Sequence, residues 1–228
     1  MKLYAIVPVK PLSSSKSRLA RLLNSSERSE LAATMLADVL SAWSKADQVE
    51  SILVVSPDKG IRGIAKDFGT LFLHEPRPGG LNRAVEKATK TCIEDGARAV
   101  LVLHADVPLV SEEDLGALAG GTSEHQVVIA PSLDLEGTNA LIRVPPDVMP
   151  IAYGPGSFYR HVELALRGGL SIMVHFSRSL ALDVDRPRDL LALARSQVKG
   201  KKSVELARRL LRERGWLEDE FYHGPRST

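Results

Sequence analysis

The stretch from Arg98 to Val110, RAVLVLHADVPLV, constrains this chain more than any other. Ala99 to Leu103 is an unbroken apolar run of strand length, rich in Val and Leu. It does not alternate polar and apolar residues, so it predicts a central strand of a parallel sheet, buried on both faces. The run ends abruptly in His104, Ala105, Asp106, Val107 and Pro108. Open α/β sheets bind ligands in the crevice outside the carboxyl ends of their strands. A carboxylate there, just before a chain-turning proline, is placed to hold a metal ion against phosphates. The plainer alternative is that Asp106 only caps the turn into a helix that starts at Ser111.

Other segments repeat the pattern. Leu3 to Val9 reads as a first strand and runs into Lys10-Pro-Leu-Ser-Ser-Ser-Lys-Ser-Arg18. Serine hydroxyls such as Ser13, loop amides and the cations Lys10, Lys16 and Arg18 suit a triphosphate. A solvated turn is the competing account, and the GxxxxGK pattern of a Walker loop is missing. Ser26 to Ala46 carries Leu31, Met35 and Val39 at helical spacing, beside Leu36, Leu40 and Trp43, so it predicts a helix with an apolar stripe. Strands are expected at Ile52 to Val55, Thr70 to Leu73 and Gln126 to Ala130, with a short helix ending at Phe68. Glu75-Pro-Arg-Pro-Gly-Gly-Leu-Asn-Arg83 precedes a helix whose apolar positions are Leu81, Val85, Ala88 and Cys92. Glycines such as Gly80 at a helix amino terminus permit close approach of an anion. Asn82 offers a donor and an acceptor to a base edge or ribose, and Arg77 a charge to phosphate. A plain glycine-rich helix start accounts for the segment equally well.

Ser111-Glu-Glu-Asp114 resembles a capping box with Asp in the third position. The segment from Gly137 to His161 reads as a long, Pro- and Gly-rich excursion, and Ser157 opens a further helix at its end. Long ordered loops are often functional; covering a sheet edge is the alternative. Leu180 to Asp189 reads as a strand ending in acids, followed by a helix with proline near its start. Alternation along such a strand sends Asp183 and Asp185 to opposite faces, leaving at most one for a site. Strands alternating with helices predict a three-layer α/β/α sandwich, organised as a nucleotide site by the phosphate-friendly loops. From Lys199 the character changes: residues 199–228 are set apart from the 1–198 domain as a basic amphipathic helix, Val204 to Leu211, and a polar tail from Asp219.

Composition narrows the function classes. Thirty basic residues against 28 acidic ones leave a formal charge of +2, too even for nucleic-acid binding through bulk charge. No apolar run approaches a membrane span, and the opening MKLYAIVPVK is too short and too interrupted for a signal peptide. The single Cys92 precludes an intrachain disulfide and fits a reducing cytoplasm, the expected location. There are no internal repeats, no zinc-spaced Cys/His clusters and no nucleophile elbow.

The segments IVPVKPLSSSKSRLA, PGGLNRA, ADVPLV, EGTNAL, GPGSFYRH and LDVDRPRDL occur in this order. Together they resemble the 2-phospho-L-lactate guanylyltransferases of coenzyme F-420 biosynthesis, a family within the molybdenum-cofactor and sugar-phosphate nucleotidyltransferases. The resemblance spans residues 1–194, and GTNAL followed by GPGSF-x-RH is its most specific part. It implies a Rossmann-like nucleotidyltransferase domain with a mixed, mostly parallel sheet. It further implies GTP as donor, a small phosphorylated carboxylic acid as acceptor, and Mg²⁺ as cofactor. No nucleic-acid or membrane partner is implied, and a homodimer is left open. By the same resemblance Thr138, Gly154 and Ser157 hold the acceptor, and Asp106 is the metal aspartate. His104 stands where the wider group often has the first acid of an Asp-x-Asp pair, so Asp185 becomes the expected second ligand.

The implied chemistry needs no nucleophilic side chain. A phosphate monoester is largely dianionic near neutral pH, its second pKa being about 6, and its oxygen can attack the α-phosphorus of GTP directly. The protein then has to align reactants and neutralise charge, with Lys10, Lys16 and Arg18 on the departing pyrophosphate. Two rivals stand beside this reading. One is a nucleotidyltransferase using CTP or a sugar phosphate; the other is a non-catalytic RNA- or partner-binding module built on the basic carboxyl-terminal helix.

Overall fold

Unbroken runs of Val, Leu, Ile and Ala bury both faces of a strand only where helices cover both sides of the sheet. The computed structural model, which describes residues 1–43, 48–76 and 79–217, has that form. Its strands are β1 (Leu3–Pro8), β2 (Ser51–Ser56), β3 (Leu71–His74), β4 (Ala99–Leu103), β5 (Val127–Pro131), β6 (Thr138–Arg143) and β7 (Ile172–Val174). They form one sheet in the order β3-β2-β1-β4-β6-β5-β7. Both pairings made by β6 are antiparallel; the other four are parallel. The sandwich with a mixed, mostly parallel sheet is therefore as expected.

Period-two alternation divides the core. Leu3 and Ala5 of β1, with Ala99, Leu101 and Leu103 of β4, face one side. There they meet Val39 and Trp43 of α1 (Ser25–Trp43) and Leu115 and Leu118 of α4 (Glu112–Gly121), while the short α2 (Ile61–Asp67) connects β2 to β3. Tyr4, Ile6, Val100 and Val102 face the other side. They pack with Val85, Ala88 and Cys92 of α3 (Gly80–Glu94) and Phe158 and Ala165 of α5 (Ser157–Arg167). Each fully buried Leu or Val contributes about 1.5–3 kcal/mol. With all five residues at 0% exposure, β4 is firmly anchored and a rigid base for the His104–Asp106 turn. The Ser111 capping box on Asp114 forms as anticipated. Residues 44–46 of the expected first helix, Arg77 and the tail from Asp219 lie outside the described residues. Among the described residues no helix is long and apolar enough to cross a membrane.

Two expectations change, and one strand is added. The excursion after Gly137 contains β6, buried along its whole length despite Thr138, Asn139 and Arg143. Arg143 stays inside because its guanidinium donates to Met149 O and Thr89 Oγ1. Ile172–Val174 adds β7, a three-residue strand too short to stand out in the sequence. The second change is that Leu180 to Asp185 is not a strand. A four-residue helix, α6 (Arg178–Ala181), capped by Ser177, gives way to an extended segment that crosses the sheet's end, held by Val184 N donating to Asp106 O at 3.0 Å.

Beyond that crossing come α7 (Pro187–Arg195) and, after the turn at Gly200, α8 (Lys202–Arg212). The apolar face of α8, Val204, Leu206, Ala207, Leu210 and Leu211, joins one cluster with Leu31 and Met35 of α1 and Leu190 and Leu193 of α7. Asp38 of α1 accepts from Lys202 N, Ser203 N and Ser203 Oγ, so a carboxylate on one helix satisfies the amino terminus of another. α8 is thereby docked onto the domain that precedes it.

Candidate active site

The strand directions decide which residues can meet. β1 and β4 are parallel, so their carboxyl ends deliver Lys10 and Asp106 to the same edge. Because β6 is antiparallel, it brings its amino end there instead, and His104 N donates to Asn139 O at 3.1 Å. The result is a cleft of about 840 Å³, lined by the loop after β1, the start of α3, the end of β4, the start of β6 and the turn before α5. A volume of that size takes a small-molecule ligand of nucleotide dimensions.

One wall is ionic. Lys16 Nζ sits 2.7 Å from Asp106 Oδ2 and 3.0 Å from Asp185 Oδ1, and Arg18 reaches Asp185 Oδ2 at 3.4 Å. Lys16 achieves this with a left-handed backbone, φ 56° and ψ 37°, a conformation that costs a non-glycine residue about 1–2 kcal/mol and that collects at functional sites. Burial works to lower the pKa of the Lys16 ammonium, but the charges of Asp106 and Asp185 outweigh it and raise the pKa. Burial likewise works to raise that of Asp106, yet Lys16 and His104 bring the carboxyl down to about 2. Asp183 goes the other way: burial and the neighbouring Asp106 charge push it up to about 6. Asp106 Oδ1 is buried and has no hydrogen-bond partner among the described residues.

Another part of the cleft lining carries neutral hydroxyls. Ser157, the first residue of α5, accepts from Thr138 N through its Oγ at 3.0 Å. Thr138 Oγ1 lies 2.9 Å from His161 Nδ1, one helical turn beyond Ser157. Both hydroxyl-bearing residues are buried yet line the cleft. Gly154, with φ 123°, occupies backbone space closed to residues with a side chain and turns the chain tightly into α5.

Most residues anticipated for the site gather here: Lys10, Lys16, Arg18, Gly80, Asp106, Thr138, Gly154, Ser157 and Asp185 all line the cleft. Ser13 is exposed on the outer side of its 3₁₀ turn, and Ser15 is the loop serine at the wall. Asn82 exchanges two hydrogen bonds with the Tyr153 backbone, clamping α3 to the turn before α5. Asp183 and Asp185 both face the cleft, against the expected one, because the segment carrying them is not a pleated strand. Asn139 Nδ2 anchors that segment, donating to Leu180 O at 2.8 Å and meeting Asp183 Oδ1 at 3.4 Å. Asn139, Tyr153 and His161 are site residues that sequence reasoning missed. The signal for His161 was its place four residues after Ser157 on an amphipathic helix.

Fold and cleft together define a nucleotidyltransferase. The structure is similar to a crystal structure described as a nucleotide-diphospho-sugar transferase from Desulfovibrio desulfuricans, with a TM-score of 0.77 and 19% identity over 93% of this chain and 98% of that one. The chain belongs to the family described as "Guanylyl transferase CofC like", whose model matches residues 3–215 and so takes in α8. It is 40% identical over 195 residues to the phosphoenolpyruvate guanylyltransferase of Conexibacter woesei, covering 85% of this chain and 87% of that one. It is 37% identical over 190 residues to the 2-phospho-L-lactate guanylyltransferase of Methanothermobacter thermautotrophicus, covering 83% of each.

Proposed function

We propose that this chain transfers GMP from GTP to the phosphate of a small phosphorylated carboxylic acid, 2-phospho-L-lactate or phosphoenolpyruvate, releasing pyrophosphate. The observation that carries the reading is the presence in one cleft of an ionic cluster, Lys16 with Asp106 and Asp185, and a hydroxyl pair, Thr138 with Ser157. The family match supports the guanylyl donor, and relatives named for both acids support the acceptor class.

The acceptor phosphate oxygen forms a bond to the α-phosphorus of GTP, and the bond to the bridging oxygen of the pyrophosphate breaks. No protein base is required, because the attacking phosphate is already dianionic. Lys10, Lys16 and Arg18 neutralise charge accumulating on the pyrophosphate. Ser157 and Thr138 hold the acceptor by donated hydrogen bonds, and the open backbone at Gly154 and Gly80 admits close approach of anions.

The residues fit a divalent cation. Among the described residues Asp106 Oδ1 is an orphaned carboxylate oxygen, and Asp183 is raised by burial and then by the neighbouring Asp106 charge, the second of which a cation would relieve. Among the described residues no group of three or more His, Cys, Asp or Glu forms a ready cage. Mg²⁺ in phosphate chemistry commonly takes only one or two carboxylates together with the substrate phosphates and water. Asp106 and Asp185 are the residues we assign to it. When bound, Mg²⁺ supplies charge neutralisation along the triphosphate. We place the reaction in the cytoplasm, in keeping with a single cysteine that is buried and unpaired.

The test is to incubate the purified chain with Mg²⁺, either GTP or CTP, and 2-phospho-L-lactate, phosphoenolpyruvate, 3-phosphoglycerate or a sugar phosphate separately, following pyrophosphate. Release with GTP and one of the acids is expected. Release only with CTP, or only with a sugar phosphate, would overturn it.

A further inference from the structure

His161 is wholly buried on α5, and each ring nitrogen has a protein partner. Nε2 lies 3.0 Å from Ala152 N, a backbone donor that can only donate, so Nε2 is the acceptor. Burial, then the charges of Arg143 and Arg160, push the imidazole down to about 3, which leaves it neutral near pH 7. A neutral ring has one N–H, and with Nε2 accepting, that proton sits on Nδ1. Nδ1 therefore donates to Thr138 Oγ1, 2.9 Å away. A hydroxyl accepting in this way keeps its own proton for another partner, and Thr138 lines the cleft. The same logic covers Ser157, whose Oγ already accepts from Thr138 N.

We infer that His161 is a positioning residue: held by the Ala152 amide as its Nδ1–H tautomer, it directs the Thr138 hydroxyl proton into the cleft, toward an anionic oxygen of the acceptor. The inference rests on the proposed reading of Thr138 as an acceptor-site residue. It explains why a histidine, rather than an apolar residue, fills a fully enclosed position behind the site. A carboxylate or phosphate oxygen only accepts, so a hydroxyl fixed as donor recognises it; a rotor free to present its lone pair loses part of that preference.

Two substitutions separate the ring's two contacts. The amide nitrogen of His161→Asn falls near Nδ1 and can still donate to Thr138. His161→Gln places its amide near Nε2 and loses the donor to Thr138. Steady-state kinetics with GTP, Mg²⁺ and either phosphoenolpyruvate or 2-phospho-L-lactate should give His161→Gln a KM for the acid raised roughly 10-fold, with the KM for GTP unchanged. His161→Asn should stay within about threefold of the wild type. In a Thr138→Val background His161→Gln should add less than about twofold, since both changes act on one interaction. Equal impairment in the Gln and Asn variants, or effects that multiply with Thr138→Val, overturns the inference. Thr138→Val with an unchanged acceptor KM would instead overturn the assignment of Thr138, and this inference with it. A second measurement needs no variant: in a long-range ¹H–¹⁵N correlation spectrum of the labelled wild type near pH 7, His161 should show a protonated Nδ1 and a bare Nε2. The opposite tautomer also overturns it.

Discussion

Lys16 and Asp106, 90 positions apart in the chain, meet at 2.7 Å, with the lysine side chain only 8% exposed and the carboxylate 26%. Each holds the other charged where burial alone would favour the neutral forms. Removing one partner leaves the other's charge poorly compensated.

Asp106→Asn keeps shape and removes that charge. On the proposed assignment of Asp106 to Mg²⁺, loss of the metal's electrostatic contribution, several kcal/mol, should lower kcat roughly 10³-fold. Stability should fall by about 1–2 kcal/mol, because Lys16 retains Asp185. Pyrophosphate release together with thermal melting checks both. Near-normal turnover at saturating Mg²⁺ would remove Asp106 from the metal site.

Lys16 carries two effects that separate by substitution. Lys16→Ala and Lys16→Gly both remove a charge-assisted interaction worth about 1.5–3 kcal/mol, roughly 10- to 150-fold in kcat/KM for GTP. Glycine also relieves the left-handed backbone, so Lys16→Gly should be the more stable of the two by about 1 kcal/mol. Equal melting temperatures would mean that the backbone there carries no strain.

Asp183 gives a pH dependence opposite in sign to that of Asp106. Its carboxyl binds a proton more tightly in the folded chain, about 6, than in the unfolded chain, about 3.9. Stability from this group is therefore fully present below about pH 4 and lost as pH rises through 6. Asp106, depressed to about 2, contributes stability above about pH 4 that is lost as pH falls toward 2. Asp183→Asn should raise the melting temperature at pH 8 in metal-free buffer, by an amount corresponding to about 1–2 kcal/mol after screening, and change it little at pH 4. Denaturant titrations at the two pH values would show it.

Much of this site was legible before folding. Ala99 to Leu103 announces a two-sided strand by composition alone, and Asp106 follows from where such strands end. Lys16 and Arg18 stand in a loop whose place after β1 makes it a wall of the cleft. β6 was hidden because Thr138, Asn139 and Arg143 look like loop residues until their buried partners, His161, Leu180 O and Thr89, are known. Asp183 was discounted by a pleat rule that applies only inside a sheet, whereas its segment crosses the strand ends. Such long-range pairings leave no local periodicity to read.

Ser157→Ala removes the acceptor of a buried backbone N–H. The orphaned Thr138 amide should cost about 1–3 kcal/mol of stability, and the acceptor KM should rise roughly 10-fold. GTP binding without acceptor, followed by calorimetry, should be almost unchanged. A parallel fall in GTP affinity would move Ser157 to the donor side.

Asp38→Ala tests the docking of α8. Losing a carboxylate that accepts from Lys202 N, Ser203 N and Ser203 Oγ should cost about 2–3 kcal/mol while kcat/KM at a temperature well below melting stays near the wild-type value. A loss of activity without a loss of stability would make α8 part of the reaction.

The direction of β6 also fixes the destinations of two neighbouring side chains. Thr138 points to the α5 side, where it meets His161, and Asn139 to the α6 side, where it ties down Leu180. Inserting or deleting one residue near Gly137 would exchange these two destinations at a stroke. An amide would then face the histidine, and the segment bearing Asp183 would lose its tether. On the proposed reading of Thr138 as an acceptor-site residue, acceptor preference would be encoded as phase along a strand, and homologous chains that differ in it are expected to vary in residue type within β6 rather than in its length.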